Sequence, residues 1–190
     1  MGFPPLYAGL LGVTAAQRLA ELAWSRRNLR RQARSPGVAA ASRRAFAGMV
    51  ALHAGLIVLP GLEVLWRGRG APAALAVPAG LAWGLAQALR YWSLQALGTA
   101  WNVRAVVSSE AGIVSRGPYR WIRHPNYLAV ILEFLAIPAA GGAWIALLAL
   151  NLAHAPVLAR RIRAEERLLF RIPGYREQMG GKGRFLPRRR

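Results

Sequence analysis

The sequence predicts an all-α integral membrane bundle of about five helices, on three observations. Hydrophobic residues make up 55% of the 190-residue chain and mean hydropathy is +0.25. Four apolar blocks approach or exceed the ~20 residues that one crossing of a bilayer requires. The 26 Lys and Arg collect in the segments between those blocks. Intrinsic disorder is excluded, because it needs low hydrophobicity alongside its charge.

The first block, Phe3 to Trp24, is uncharged as far as Ala16 and then carries Arg18 and Glu21, three apart on one helix face. This pair reads as an intramembrane contact that orients helices, the alternative being a place beside a reaction chamber. The second block, Phe46 to Trp66, holds His53 and Glu63; the third, Ala71 to Leu89, has Gln87 as its strongly polar residue. Gly80-x-x-x-Gly84 in the third has the spacing of a close helix packing face. The fourth block, Tyr127 to Ala159, is 33 residues and crosses twice, with Pro138, Gly141 and Gly142 dividing it into a hairpin whose first arm, the fourth helix, is short. Polar groups are costly in lipid, so His53, Glu63, Glu133, Asn151 and His154 are expected to face the bundle. Glu133 and Asn151, on the two arms of the hairpin, form the candidate substrate-pocket pair. The chain thus divides into a three-helix membrane part, residues 1–97, and a second part, residues 98–190, made of a loop, the hairpin 127–159 and a C-terminal extension.

Lys and Arg near helix ends are retained on the cytoplasmic side, which sets the orientation. Seven Arg lie between Ser25 and Ala45, four between Gly98 and Asn126, and eleven Lys or Arg from Arg160 onward, against only Arg67 and Arg69 between the second and third blocks. Five crossings then place the N-terminus outside and the tail in the cytoplasm. Met1 is followed by Gly-Phe-Pro-Pro with no basic segment, which disfavours a cleavable signal peptide. The formal net charge of +19 reads as topology plus attraction to anionic lipid. A nucleic-acid partner is not expected, since no docking motif accompanies the charge.

Zero Cys removes disulfides, thiolate nucleophiles and Cys-ligated metals, and with three scattered His and no Asp no metal site is expected. No strand leads into a G-x-G-x-x-G turn, so no Rossmann domain is expected. Gly180-Gly181-Lys182-Gly183 lacks the spacing of a phosphate loop and reads as a flexible turn.

Chemistry is therefore sought in two cytoplasmic segments. In the first, Arg116 to Tyr127, Pro125 holds His124 extended while itself suiting the first turn of the following helix. His124 then stands at a helix N-terminus, where free N–H groups favour a carboxylate or phosphate; the alternative is an interfacial histidine bonded to backbone. In the second, Arg160 to Phe170, Arg161 and Glu165 are four apart and can pair, while Glu166 is rotated by about 100° from Glu165. Adjacent Glu on an Arg-rich helix are commonly solvated surface, yet these are two of only seven acids and share a membrane face with His124.

The ordered set Leu97-Gly98-Thr99-Ala100-Trp101, Gly117-Pro118-Tyr119, Arg123-His124-Pro125-Asn126-Tyr127, a hydrophobic hairpin, Arg161-x-x-x-Glu165-Glu166 and Gly174-Tyr175 resembles the isoprenylcysteine carboxyl methyltransferase family. The resemblance covers roughly Arg90 to Pro187; Gln178 stands where the family often has a second Tyr. The N-terminal half, with Gln17-Arg18-Leu19-Ala20-Glu21-Leu22 and Ser25-Arg26-Arg27-Asn28, is similar to the bacterial branch that methylates long-chain alkylpyrones and alkylresorcinols. The resemblance implies a multi-pass enzyme of the bacterial inner (plasma) membrane. It implies S-adenosylmethionine as cofactor, with S-adenosylhomocysteine as product, enclosed by the cytoplasmic loop and the ends of the last helices. Carried over residue by residue, it implies cofactor contacts by Tyr119, Arg123, His124, Pro125, Asn126, Tyr127, Glu165, Glu166 and Tyr175. His124 and its flanking backbone would lie at the methionine carboxylate, and Glu165 or Glu166 at the ammonium. Arg161 and Glu166 would be the catalytic pair nearest a lipophilic acceptor, a long-chain phenolic or pyrone lipid that enters from the bilayer. Carboxyl methylation of a prenylated or other lipid, and phospholipid N-methylation, are the alternatives within the family. An NADP-dependent sterol-type reductase and a non-enzymatic binder of anionic lipid are those outside it.

Overall fold

A computed structural model describes residues 4–32, 39–40, 43–103, 106–107 and 112–188. Leu- and Ala-rich runs punctuated by Pro and Gly give five long helices. Helix α1 (Pro5–Gln32) opens on a proline, whose missing N–H costs nothing at the first helical position, and closes on Arg30 and Arg31, whose charge suits the C-terminal dipole. Helices α2 (Arg43–Arg67) and α3 (Ala73–Leu97) follow, then a short 3-10 turn at Gly117–Arg120, α4 (Pro125–Gly141), α5 (Trp144–Leu169) and a last short helix α6 (Tyr175–Met179). The helical expectation holds, with one addition: Ala39–Ala40 pairs antiparallel with Val106–Val107.

Three boundaries differ from the sequence reading. The first helix runs on through the Arg26–Arg31 cluster instead of stopping at Trp24, and the third continues to Leu97. Of the three residues expected to divide the hairpin, Pro138 stays inside α4, while Gly141 ends that helix and Gly142 makes the turn. At Gly80 and Gly84 an added Cβ would meet nothing, so this pair does not mark a packing face.

Helix α3 packs most extensively on α4, and α2 on α5, while α1 crosses α2 and α4. Tyr7, Leu11, Leu56, Val64, Phe134, Ile137 and Leu150 make the central apolar core. Outward, Leu6, Leu19, Leu62, Leu81, Leu85, Ile145 and Leu152 are each more than half exposed. Apolar groups outside and ionic groups inside is the arrangement a bilayer demands and water penalises. Two helices, Phe46–Arg67 and Trp144–Leu169, are long and apolar enough to cross a membrane, and Pro125–Gly141 is a shorter apolar helix.

Four of the ionic groups inside form one connected set. Arg90 of α3 donates to both oxygens of Glu21 on α1 (Nε to Oε1 and Nη2 to Oε2, both 2.6 Å). Arg18 donates to Glu21 (2.7 Å) and across to Glu133 of α4 (2.6 Å). Gln87 reaches Glu133 (2.9 Å) and Gln17 reaches Glu21 (3.0 Å). Two guanidiniums thus meet two carboxylates. Removing an ion from water costs several kcal/mol, which only a complete and hydrogen-bonded set of partners offsets.

At the opposite end of the bundle from His124, Glu63 of α2 accepts the N–H groups of Ile145 (3.2 Å) and Ala146 (2.7 Å), two of the orphan donors at the start of α5. Arg67 donates to the Gly142 carbonyl and lies 3.6 Å from Glu63. Gly142 has φ +69, and a Cβ there would press on the Ala71 backbone at 3.1 Å, so the hairpin turns where only glycine fits.

Three helices separate Arg69 from Arg171, and the chain has no native cysteine to confuse labelling. Single-site Arg69→Cys and Arg171→Cys variants are expected to react with an impermeant maleimide from opposite faces of intact vesicles. Reaction from one face would contradict three crossings between them.

Candidate active site

Helix α4 begins directly at Pro125, which leaves His124 as its cap, with φ −127 and ψ 55. The His124 ring is buried, and its Nε2 lies 3.1 Å from Glu166 Oε1 on α5. Glu166 also receives Arg184 Nε (3.0 Å) and Nη2 (2.6 Å), and Arg123 Nη2 lies 3.4 Å away. One carboxylate therefore gathers a histidine and two guanidiniums from two separate parts of the chain, residues 123–124 and Arg184.

The C-terminal segment is held there by backbone as well. The N–H of Arg123 donates to the Gly183 carbonyl (2.9 Å) and that of His124 to the Arg184 carbonyl (3.0 Å), and Lys182 Nζ donates to the Tyr119 carbonyl (2.8 Å). An added Cβ at Gly183 would collide with the Leu186 carbonyl. The glycine run expected as a flexible turn thus includes a residue in an isolated parallel bridge to Ile122. Tyr119 and Tyr175 pack with Ala96 and Met179 beneath it. Burial, together with Glu165, pushes both phenols well above their ordinary range, so they stay neutral near pH 7 and are not proton acceptors.

A second polar group occupies the other face of α5. Tyr127 donates its hydroxyl to Glu165 and accepts from Arg161 Nε (2.8 Å), and Arg161 also donates to the Val103 carbonyl. Arg161 and Glu165, four apart, are thereby joined through a phenol. The N-terminal half supports this end: Asn28 donates to the carbonyls of Gly98 (3.2 Å) and Trp101 (2.7 Å), and Ser25 Oγ accepts the Val103 N–H (3.0 Å).

Arg161 of α5 and Tyr127 and Asn126 of α4 line a cavity of about 300 Å³ whose wall also includes residues of α1, α2 and α3. Its remaining wall is largely apolar, with Leu19, Leu22, Met49, Ile57 and Val130, but also includes Arg18, Glu21 and Arg90.

The residues expected together from sequence are brought into one region with two corrections. Arg161 and Glu166 are not a pair: they leave α5 on different faces, Arg161 into the cavity and Glu166 toward His124 and Arg184. Glu133 and Asn151 are also separated, because Glu133 is fully buried in the ionic set while Asn151 donates to the carbonyls of Phe134 (2.9 Å) and Leu147 (2.8 Å) and lines a different, lateral cavity. Arg184 was not singled out from sequence; one arginine in a tail rich in them carries no periodic signal. Among the described residues no cluster of metal-ligating side chains occurs.

Residues 80–171, just under half of the chain, match the model of the isoprenylcysteine carboxyl methyltransferase family. It contains α4 and α5 with Arg123, His124, Asn126, Tyr127, Arg161, Glu165 and Glu166, together with Arg90 of the ionic set. An uncharacterized protein of Bacillus subtilis (strain 168), YpbQ, is 42% identical over 83 residues, which are 44% of this chain and 49% of that protein. The chain thus spans about half the length of the relative it matches.

Glu166→Gln should release the tail, since a bidentate charge-assisted pair then becomes a weaker neutral contact. Tryptic cleavage after Lys182 and Arg184 in the folded protein is expected to accelerate on the order of tenfold. An unchanged cleavage rate would show that the backbone pairing alone holds the segment.

Proposed function

We propose that this chain is a multi-pass methyltransferase of the bacterial inner membrane that uses S-adenosylmethionine to methylate an oxygen of a lipophilic acceptor, of the long-chain phenolic or pyrone kind. The observation that carries the reading is the cavity: an apolar chamber inside a membrane bundle, closed at one end by Arg161, Tyr127 and Asn126, within the family stretch and beside the His124 cluster. A chain that acts on water-soluble substrates has no need of such a chamber.

The residues next to it suit the cofactor's amino-acid end. Arg123 Nε and Asn126 Oδ1 are buried and have no hydrogen-bond partner among the described residues. One donates and one accepts, which is what a carboxylate and an ammonium require. Arg123 and His124 would hold the carboxylate, and Asn126 with Glu165 the ammonium. When bound, the cofactor would supply a methyl group on a sulfonium, transferred in line with loss of the positive charge.

Positioning and exclusion of water matter most in such a transfer. Arg161 is placed to orient the acceptor oxygen and to stabilise its anion, since a phenol has a pKa near ~10 and reacts better deprotonated. Glu165, reached through the Tyr127 hydroxyl, offers the proton a path away. Glu166 is engaged by His124 and by the guanidiniums of Arg123 and Arg184, and serves in this reading to fix His124 and Arg123, a positioning role in place of the catalytic one expected from sequence. Its cytoplasmic placement, and a partner surface of anionic lipid for the Arg26–Arg31 cluster, follow from the distribution of basic residues.

S-adenosylhomocysteine at 100 times its dissociation constant is expected to stabilise the detergent-solubilised protein by about 2.7 kcal/mol, with NADP giving no shift. Arg123→Gln should weaken that binding by about 1.5–3 kcal/mol, the range of a charge-assisted hydrogen bond. Stabilisation by NADP and not by S-adenosylhomocysteine would replace the reading with a reductase.

A further inference from the structure

The lateral cavity that Asn151 lines, of about 500 Å³, shares no residue with the acceptor cavity, and the methyl transfer proposed above does not use it. Asn151, Ala155, Ala159 and Arg163 stand four apart in one row of α5. Two alanines in the middle of the row leave a groove, beside which the buried Leu158 and Ile162 pack against Ile131 of α4 and Phe185 of the tail. Ala155 and Arg163 are exposed, so the groove opens on the outside of the bundle. From Asn151 to Arg163 the row is about 18 Å long at ~1.5 Å per residue, close to the ~15 Å of hydrocarbon in one leaflet. Its cytoplasmic end is cationic, and no carboxylate lines it. Arg163 donates Nε to the Ala159 carbonyl (3.1 Å), and Arg184 donates Nε and Nη2 to Glu166. The Nη groups of Arg163 and Nη1 of Arg184 have no partner among the described residues, and both side chains reach the surface, that of Arg184 with 48% exposure.

We propose that this groove holds an anionic phospholipid of the cytoplasmic leaflet, its phosphate on Arg163 and Arg184 and one acyl chain along the row of Ala155 and Ala159. Guanidiniums with free N–H groups match phosphate oxygens, and the apolar row below them suits hydrocarbon and offers a free phosphate nothing. A second copy of this chain lacks the complementary charge. Among the described residues the exposed carboxylate it could bring is that of Glu177, the others being buried or, for Glu165, bonded to Tyr127. The site also ties the lipid to the tail: Arg184 holds Glu166 through Nε and Nη2 and the phosphate through Nη1, while Phe185 lines the acyl chain. A bound lipid thereby clamps residues 182–185 against His124 and Arg123. The lipid site does not depend on the methyltransferase reading.

Arg184 cannot be replaced without disturbing Glu166, so Arg163 reads the effect. The full chain in phosphatidylcholine nanodiscs receives a trace of phosphatidylglycerol, or of phosphatidylcholine, carrying a diazirine in one acyl chain, and cross-linked peptides are located after photolysis. Phosphatidylglycerol is expected to label Ile131 and residues 151–163 at least about tenfold more than phosphatidylcholine, the lower end of a charge-assisted hydrogen bond. Arg163→Gln should bring that preference to within about threefold, and Arg163→Lys, which keeps the charge, should retain most of it. Tryptic cleavage after Arg184 should be slower in phosphatidylglycerol discs than in phosphatidylcholine discs for the wild type, with the difference lost in Arg163→Gln. Equal labelling by the two lipids, or a preference unchanged in Arg163→Gln, overturns the site. Three further results would also overturn it by naming another occupant. Suppression of labelling by inorganic phosphate would assign the arginines to a free anion, suppression by an alkylresorcinol would make the groove an entrance for the acceptor, and chain-to-chain cross-links would make it an interface between copies.

Discussion

Charge neutrality inside the bundle is the constraint on which the rest of the structure depends. Arg18 and Arg90 against Glu21 and Glu133 join α1, α3 and α4 at one level, with Gln17 donating to Glu21 and Gln87 to Glu133. Buried ions are expensive one by one, and a set that cancels is tolerable where a single member is not. The cost also explains specificity of packing: sliding α1 by one turn past α3 would move Glu21 away from Arg90 and leave both uncompensated. The apolar contacts of Phe134, Ile137 and Leu56 fill space on either register, whereas the ions fit only one.

Above and below that level the two ends of the bundle are closed by different means. At one end Glu63 and Arg67 cap the α4–α5 turn, so the hairpin is fixed by α2. At the other, Glu166 gathers His124, Arg123 and Arg184, and the tail pairs with residues 122–124. Both ends are thus tied by side chains from other helices, and the start of α4 lies beside the cavity in which the proposed chemistry is placed. A pre-formed site on rigid elements is what positioning chemistry requires.

Much of this was legible in the sequence. Apolar blocks and basic clusters gave the helices and their alternation, Pro125 placed His124 at a helix start, and the motif order marked the stretch that matches the methyltransferase family. Pairing across the bundle was not legible, because periodicity reports which face is polar but not which helix it meets. Arg18 and Glu21 were visible as a local pair, yet Arg90, one residue beyond the third block, is the residue that engages both oxygens of Glu21. Glu133 was assigned to a pocket for the same reason: an intramembrane carboxylate signals a partner without naming it. The same limit separated Arg161 from Glu166, whose angular offset was known while the residues facing each were not.

The most direct measurement of the central constraint is unfolding free energy in matched detergent for Arg90→Met, Glu21→Met and the double variant. Breaking a buried pair typically costs ~3–5 kcal/mol, while replacing both partners by apolar groups is near neutral. Each single variant is therefore expected to lose several kcal/mol and the double variant to recover most of it. Single variants as stable as the wild type, or a double variant as unstable as the sum of the two, would contradict an account in which buried neutrality sets the register of the bundle.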